Sequence, residues 1–179
     1  AITEKCIKSW KKYCPDYEII CWNEENFDVS AAPKYVQQAY EQIARMQKAG
    51  LIFNAHMMTG IAGKGRGIEN AEATAEFFNR TKPAKIINFS IFHHRRSPLY
   101  REIEAGRYIP ADEQENLREE RRLLELLEVE NLRYDGFHDV VIEQRFRGTL
   151  PADKEKLLAK VDKVIACWET QPPILKTCE

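Results

Sequence analysis

Cysteine is sparse and scattered in this chain. No two of Cys6, Cys14, Cys21, Cys167 and Cys178 lie within four residues of each other. That spacing excludes a C-x-x-C zinc pair and a local three-cysteine iron–sulfur loop. The odd total of five points to a reducing compartment, the cytoplasm, rather than to a disulfide framework. An excess of charge of one sign is also missing. A net charge of −1 on a chain with 31% charged residues gives no global basic surface for nucleic acid or membrane. No apolar run approaches the roughly 20 residues of a membrane helix, and no charged-then-apolar leader opens the chain. A helix-like stretch begins directly at Ala1, so the chain is expected to be a piece of something longer. G-x-S-x-G, H-E-x-x-H and catalytic Cys-His patterns are lacking, as are internal repeats and low-complexity segments.

What is present suits a folded domain, since 179 residues with 44% hydrophobics suffice for a real core. Thr3 to Tyr13 is helix-like, Tyr17 to Trp22 reads as a short buried strand, and Ser30 with Pro33 opens a helix that stops at Gly50. The most informative stretch follows, G-L-I-F-N-A-H-M-M-T-G-I-A-G-K-G-R-G from Gly50 to Gly67. It predicts a strand, Leu51 to Thr59, that empties into a glycine-rich turn before a helix from Ile68 to Arg80. A second strand runs from Lys85 to Phe92. Ser97 and Pro98 start a helix that ends at Gly106. Asp112 to Arg133 predicts a long, solvated outer helix with a narrow Leu117, Leu124 and Leu127 stripe. His138 to Phe146 alternates like a strand, and Pro151 opens a last helix, Ala152 to Trp168. The strand–helix alternation predicts α/β with mainly parallel strands and covering helices. Such a sheet has an open edge, which predicts self-association or marginal stability.

Two groups of residues carry candidate chemistry. Gly60, Gly63, Gly65 and Gly67 allow close backbone approach to a ligand and offer amide donors at a helix start. The run fits neither a P-loop, because Gly63-Lys64 is followed by Gly65, nor a dinucleotide fingerprint. It is either a ligand contact or a flexible strand-to-helix turn. Alternation within the two strands places Asn54 and His56 on one face of the first and Asn88 and Ser90 on one face of the second. Together the four predict a sheet face lining a polar substrate cavity, or else hydrogen-bonded core polars. His56, His93, His94 and His138 have no Cys or carboxylate at ligand spacing, so no metal site is assigned. His93-His94-Arg95-Arg96 is either a phosphate contact or a solvated loop.

From about residue 43 onward the chain resembles the later part of a radical S-adenosylmethionine (SAM) barrel. The matching stretches are A-R-M-Q-K-A-G-L-I-F-N-A-H-M-M-T-G-I-A-G-K-G, E-N-A-E-A-T-A-E-F-F-N, and I-I-N-F-S-I-F followed by S-P-L-Y. The last resembles the T-P-L-Y segment after the sixth strand in the anaerobic coproporphyrinogen-oxidase-like and Elongator-like branches. The resemblance implies a partial β/α barrel. It implies that Gly60, Ile61, Ala62 and Gly63 pack on the adenine of SAM, and that the backbone near Phe92 and His93 helps hold the cofactor. It also implies a [4Fe–4S] cluster that reduces SAM to a deoxyadenosyl radical for hydrogen abstraction. The C-x-x-x-C-x-x-C loop that binds the cluster is not in this chain.

Residues 1–42 resemble something else. K-C-I-K-S-W-K-K-Y-C-P-D-Y-E-I-I-C-W-N-E-E-N-F-D-V, then Y-V-Q-Q-A-Y-E, is similar to the N-terminal part of DXD-type glycosyltransferases of the mannosyltransferase and capsular-polysaccharide kind. The metal-binding D-x-D of that family is absent too. The two resemblances meet inside one helix, near Tyr40 to Ile43, without the polar or Pro/Gly-rich linker that joins domains. The expectation is a fused remnant of a radical SAM enzyme, inactive by itself, with a small-molecule cofactor and no nucleic-acid or membrane partner. The alternatives are a nucleotide-sugar glycosyltransferase fragment and a non-catalytic fusion fragment.

Overall fold

The computed structural model describes residues 8, 12, 32–138, 144–172 and 177–178. Lys8 and Lys12 are helical. The rest of the Thr3–Tyr13 helix, the Tyr17–Trp22 strand and the Ser30 cap lie outside the described residues. Two compact units divide the chain, Ala1–Gln42 and Ile43–Glu179. Of the first, the described part is mainly the opening of helix α1 (Ala32–Lys48), where Gln37 donates to Glu41 one turn on at 3.1 Å. Pro33 sits in the first turn of α1, where its missing N–H has no intrahelical role. Past its end Gly50 takes a left-handed φ of 76°.

The second unit is a mixed α/β layer. Strand β1 (Asn54–Thr59) leads through the glycine turn into α2 (Gly67–Thr81), which is followed by β2 (Lys85–Ser90). A short β3 (His93–His94) precedes α3 (Pro98–Glu104) and α4 (Glu113–Leu126). Strands β4 (Leu132–His138) and β5 (Gln144–Leu150) then form a hairpin, and α5 (Lys154–Trp168) follows. Finally β6 (Thr177–Cys178) pairs in parallel with β3. The main sheet has the order β1-β2-β4-β5, with the first three parallel and β5 antiparallel. It is open, and no barrel closes. No helix among the described residues is long and apolar enough to cross a membrane.

One face of the sheet carries the core. Ala71, Ala75 and Phe78 of α2, Leu117, Leu123 and Leu124 of α4, and Leu157 and Val161 of α5 meet Ile86, Leu132, Tyr134, Phe146 and Leu150. Each large apolar side chain moved from water into this layer contributes about 1.5–3 kcal/mol. The helix ends have local causes. Ser97 accepts from the Tyr100 amide with Pro98 at the first position of α3. Asp112 caps α4 in a full capping box with Glu115.

Several expected boundaries shift. β1 begins at Asn54 rather than Leu51, and β2 stops at Ser90 rather than Phe92. Helix α4 ends at Leu126 rather than Arg133, because Leu132 and Tyr134 are pulled into the sheet beside Ile86. Of the expected His138–Phe146 strand, His138 ends β4 and residues 144–146 begin β5, while residues 139–143 lie outside the described residues. The outer-helix reading of α4 is also overturned, since Glu113, Asn116, Glu119 and Glu120 are buried with its leucines. A charged residue signals solvent only when no buried partner awaits it.

Replacing Asp112 with Ala removes one half of the capping box. The expected loss is about 1 kcal/mol, a fall of roughly 2–4 °C in melting temperature. Asp112→Asn should retain most of the cap, which thermal denaturation followed by circular dichroism would resolve.

Candidate functional site

The glycine turn stands at the C-terminal end of β1, where open parallel sheets place their ligand contacts. Gly60 and Gly63 have φ of 84° and 82°. A Cβ on Gly60 would come within 2.4 Å of Asn116 Oδ1, and one on Gly63 within 2.9 Å of the Ile109 carbonyl. Glycine is thus required at both for handedness and for space. Several of the turn's amides are taken by groups of the same chain. Gly60 N–H donates to Glu119 Oε2 at 2.9 Å, and Gly65 N–H donates to Glu115 Oε1 at 2.9 Å. Lys64 N–H donates to the Ile109 carbonyl at 2.8 Å. Two carboxylates of α4 therefore hold the amide donors that the sequence suggested for an external anion.

Glu119 also accepts from Asn70 Nδ2 at 2.7 Å, tying α4 to the first turn of α2. Burial raises its pKa, against the hydrogen bonds from Asn70 and Gly60. Tyr108 Oη donates to the Gly60 carbonyl at 2.8 Å, and its ring meets that of His93 edge-on at 6.2 Å between centroids. His93 Nδ1 and Asn116 Oδ1 are both buried without a hydrogen-bond partner. Burial lowers the His93 pKa, which keeps the imidazole neutral near pH 7. Two unsatisfied polar atoms thus sit around the Gly60–Tyr108 contact, where they invite a polar ligand or a water.

A second polar cluster lies under α4. His138, at the end of β4, is fully buried between two carboxylates. Its Nδ1–H donates to Glu113 Oε1, and its Nε2–H donates to Glu120 Oε2 at 2.6 Å. Ser90 Oγ and Asn116 Nδ2 donate to Glu113 at 3.0 and 3.1 Å. Tyr134 Oη donates to Glu120 Oε1 at 2.7 Å, and Asn88 links Tyr134 to the Thr59 amide. Gly136 leaves the room for Glu120, since a Cβ there would meet Glu120 Oε1 at 2.0 Å. Burial pulls the His138 pKa down, but the Glu120 charge and the hydrogen bonds to Glu113 and Glu120 outweigh it and raise the value to about 9. Burial pushes Glu113 up, and His138 more than reverses that, leaving it below the usual carboxylate range. The cluster is an imidazolium neutralised from both sides, at the heart of the packed layer.

The expected Asn54–His56–Asn88–Ser90 cavity does not exist. The register pairs Met57 with Asn88 and Thr59 with Ser90, so Asn88 and Ser90 face the helices while Asn54 and His56 face outward. The four fall on opposite faces because an offset of an odd number of residues inverts the alternation between neighbouring strands. His56 is exposed and stacks near Phe89 at 6.2 Å. It does not join His93, which is buried against Tyr108, or His94, whose Nδ1 accepts from the Arg96 amide at 3.1 Å. Phe92 is 51% exposed and Ile61 48% exposed. Among the described residues, no group of three or more His, Cys, Asp or Glu side chains could hold a metal ion.

Neither a family model, a curated protein nor a solved structure matches this chain. Geometry alone therefore chooses between sites. A hollow of about 590 Å³ opens beside Leu51, Lys82, Glu128 and Asn131 at the opposite end of the strands. Gln47, Lys82, Glu128, Glu130 and Asn131 line it, but none of them carries a buried unpaired polar atom, whereas the turn at Gly60 has two such atoms beside it. Chemistry outranks volume here, and the turn is the better candidate. Asn116, Glu113, Glu119, Glu120 and Tyr134 were not legible as site residues in the sequence, and His138 was weighed there only as a metal ligand. A signal was present, because Glu113, Leu117, Glu120, Leu124 and Leu127 recur at alternating spacings of four and three, the mark of one helix face.

The cluster has a pH signature. The folded pKa of His138, about 9, lies above its ordinary 6.5, so its stabilisation is complete below about pH 6.5 and is lost as the pH rises through 9. Glu113 is lowered, so its stabilisation is present above the ordinary carboxylate range and lost as the pH falls through its folded value. Denaturant midpoints should be highest in the mildly acidic window and fall on the alkaline side. His138→Gln should cost about 3–5 kcal/mol near pH 6 and remove the alkaline fall. An equally steep alkaline limb in that variant would assign the effect to other groups.

Proposed function

We propose that residues 43–179 are a remnant of a radical SAM barrel that holds the adenosyl part of SAM at the Gly60–Gly63 turn without catalysing its cleavage. The observation that carries this reading is the pair of orphaned buried atoms, His93 Nδ1 and Asn116 Oδ1, around a left-handed glycine turn at a parallel strand end. A purine edge offers both donors and acceptors to such a pair. Three successive parallel strands with helices on one face support derivation from a β/α barrel, although β5 runs antiparallel. The residues present do not fit a [4Fe–4S] cluster. Among the described side chains Cys167 is exposed on α5, and the sequence has no C-x-x-x-C-x-x-C spacing. No radical step is therefore assigned to this chain. Residues 1–42 are read as the start of a DXD-type glycosyltransferase, carried along by fusion and lacking its metal-binding motif.

Titration calorimetry and thermal shift with SAM test the reading. A ligand that binds only the folded chain adds about 2.7 kcal/mol of stability at 100 times its Kd, so SAM should raise the melting temperature. His93→Phe keeps a ring against Tyr108 but deletes Nδ1, and Gly60→Ala places a methyl against Asn116; both should abolish the shift. UDP- and GDP-sugars with Mn²⁺ should give none. A flat SAM titration of the wild type would leave a non-catalytic fragment without this ligand.

A further inference from the structure

Helices α2, α4 and α5 cover one face of the main sheet, and among the described residues the strand side chains of the other face form an organised, partly exposed surface. His56 of β1, Phe89 of β2, Phe137 of β4 and Arg145 of β5 form a row across all four strands. His56 and Phe89 stack at 6.2 Å, and Phe89 and Phe137 at 5.4 Å with 15° between their planes. The Arg145 guanidinium carbon lies 3.9 Å over the Phe137 ring. Phe89 is 39% exposed and Met58 beside it 42% exposed. The charge on this face is one-sided. Among the described residues, register and alternation put Lys85, Arg133, Arg145 and Arg147 there with one carboxylate, Asp135. Asp135 lies beneath them and accepts from Lys85, Arg145 and Arg147 at 3.1–3.3 Å, which gathers these three cations at the middle of the face.

We infer that this open face is a docking surface for single-stranded nucleic acid. Unpaired bases offer π-faces to aromatic and guanidinium planes, and phosphates answer a basic rim. The same charge pattern argues against a second copy of the chain, since two such faces repel. It also argues against a purely apolar partner, which would strand the arginines. The net charge of −1 hides the patch because many acids sit on other elements, notably on α4. The inference is independent of the adenosyl reading, which is tested at Gly60 and His93.

The test is fluorescence anisotropy of a labelled single-stranded RNA of roughly 12 nucleotides with the full chain at low salt. Binding should weaken steeply as salt rises, as counterion release requires. A duplex of equal length should bind at least about tenfold more weakly, because its base faces are closed. Phe89→Ala should reduce affinity on the order of tenfold. Arg133→Glu should weaken binding and flatten the salt dependence. Lys163→Glu, on the exposed side of α5, should change neither, and circular dichroism should report all three variants folded. The inference is overturned by absent binding at low salt, by equal binding of duplex, or by Lys163→Glu weakening binding as much as Arg133→Glu. Sedimentation showing a dimer that Phe89→Ala dissociates would likewise overturn it, by giving the face to a second copy.

Discussion

The structure depends on one buried imidazolium. His138 reaches α4 from the end of β4 and finds Glu113 and Glu120 two turns apart on that helix. Charges taken out of water are costly unless paired, and removing one partner of a buried pair costs more than the pair contributes. The contact therefore acts as a register pin. Sliding α4 by one residue along the sheet would leave a carboxylate and an imidazolium facing apolar neighbours. Tyr134, Asn88 and Ser90 join the same network, so the positions of β2 and β4 under the helix are settled together.

The glycine turn is a consequence of that pinned helix. With α4 in place, Glu119 and Glu115 arrive at the Gly60 and Gly65 amides, and Asn116 fills the space a Cβ on Gly60 would need. The loop is held by its own chain's anions before any ligand arrives. Preorganisation of this kind lowers the entropic cost of binding at a loop. It also changes which ligand groups are welcome. Phosphate would compete with two glutamates, whereas a neutral, hydrogen-bonding edge would meet His93 and Asn116. Surface ion pairs such as Arg122–Glu72 and Arg121–Asp162 brace the helix layer from outside, and exposed pairs of this sort contribute little each.

The two faces of the sheet divide the polar chemistry of the chain. Carboxylates and the imidazolium gather on the covered side, where burial requires them to pair. Cations and aromatic rings gather on the open side, where arginine can lie flat and remain hydrated. A composition that nearly balances overall thus conceals a buried carboxylate–imidazolium network and an exposed basic face.

Local signals were legible in the sequence. Gly50, Ser97-Pro98 and Asp112 mark helix ends because capping is a matter of nearby backbone groups. The Ala71, Ala75 and Phe78 stripe of α2 reads directly from helical period. Strand–helix alternation determined a mainly parallel α/β layer. Strand pairing could not be read this way. The offset between Asn54 and Lys85 decides whether Asn54 and Asn88 share a face, and no residue of either strand encodes it alone. The charged run of α4 looked solvated because its partners, Gly60, Tyr134 and His138, are distant in the chain. Sequence by itself determined where elements begin, end and turn, since those depend on neighbours within a few residues. Tertiary structure alone decided which carboxylates are buried, which histidine is charged and which sheet face stays open, since these depend on groups that meet only when the chain packs.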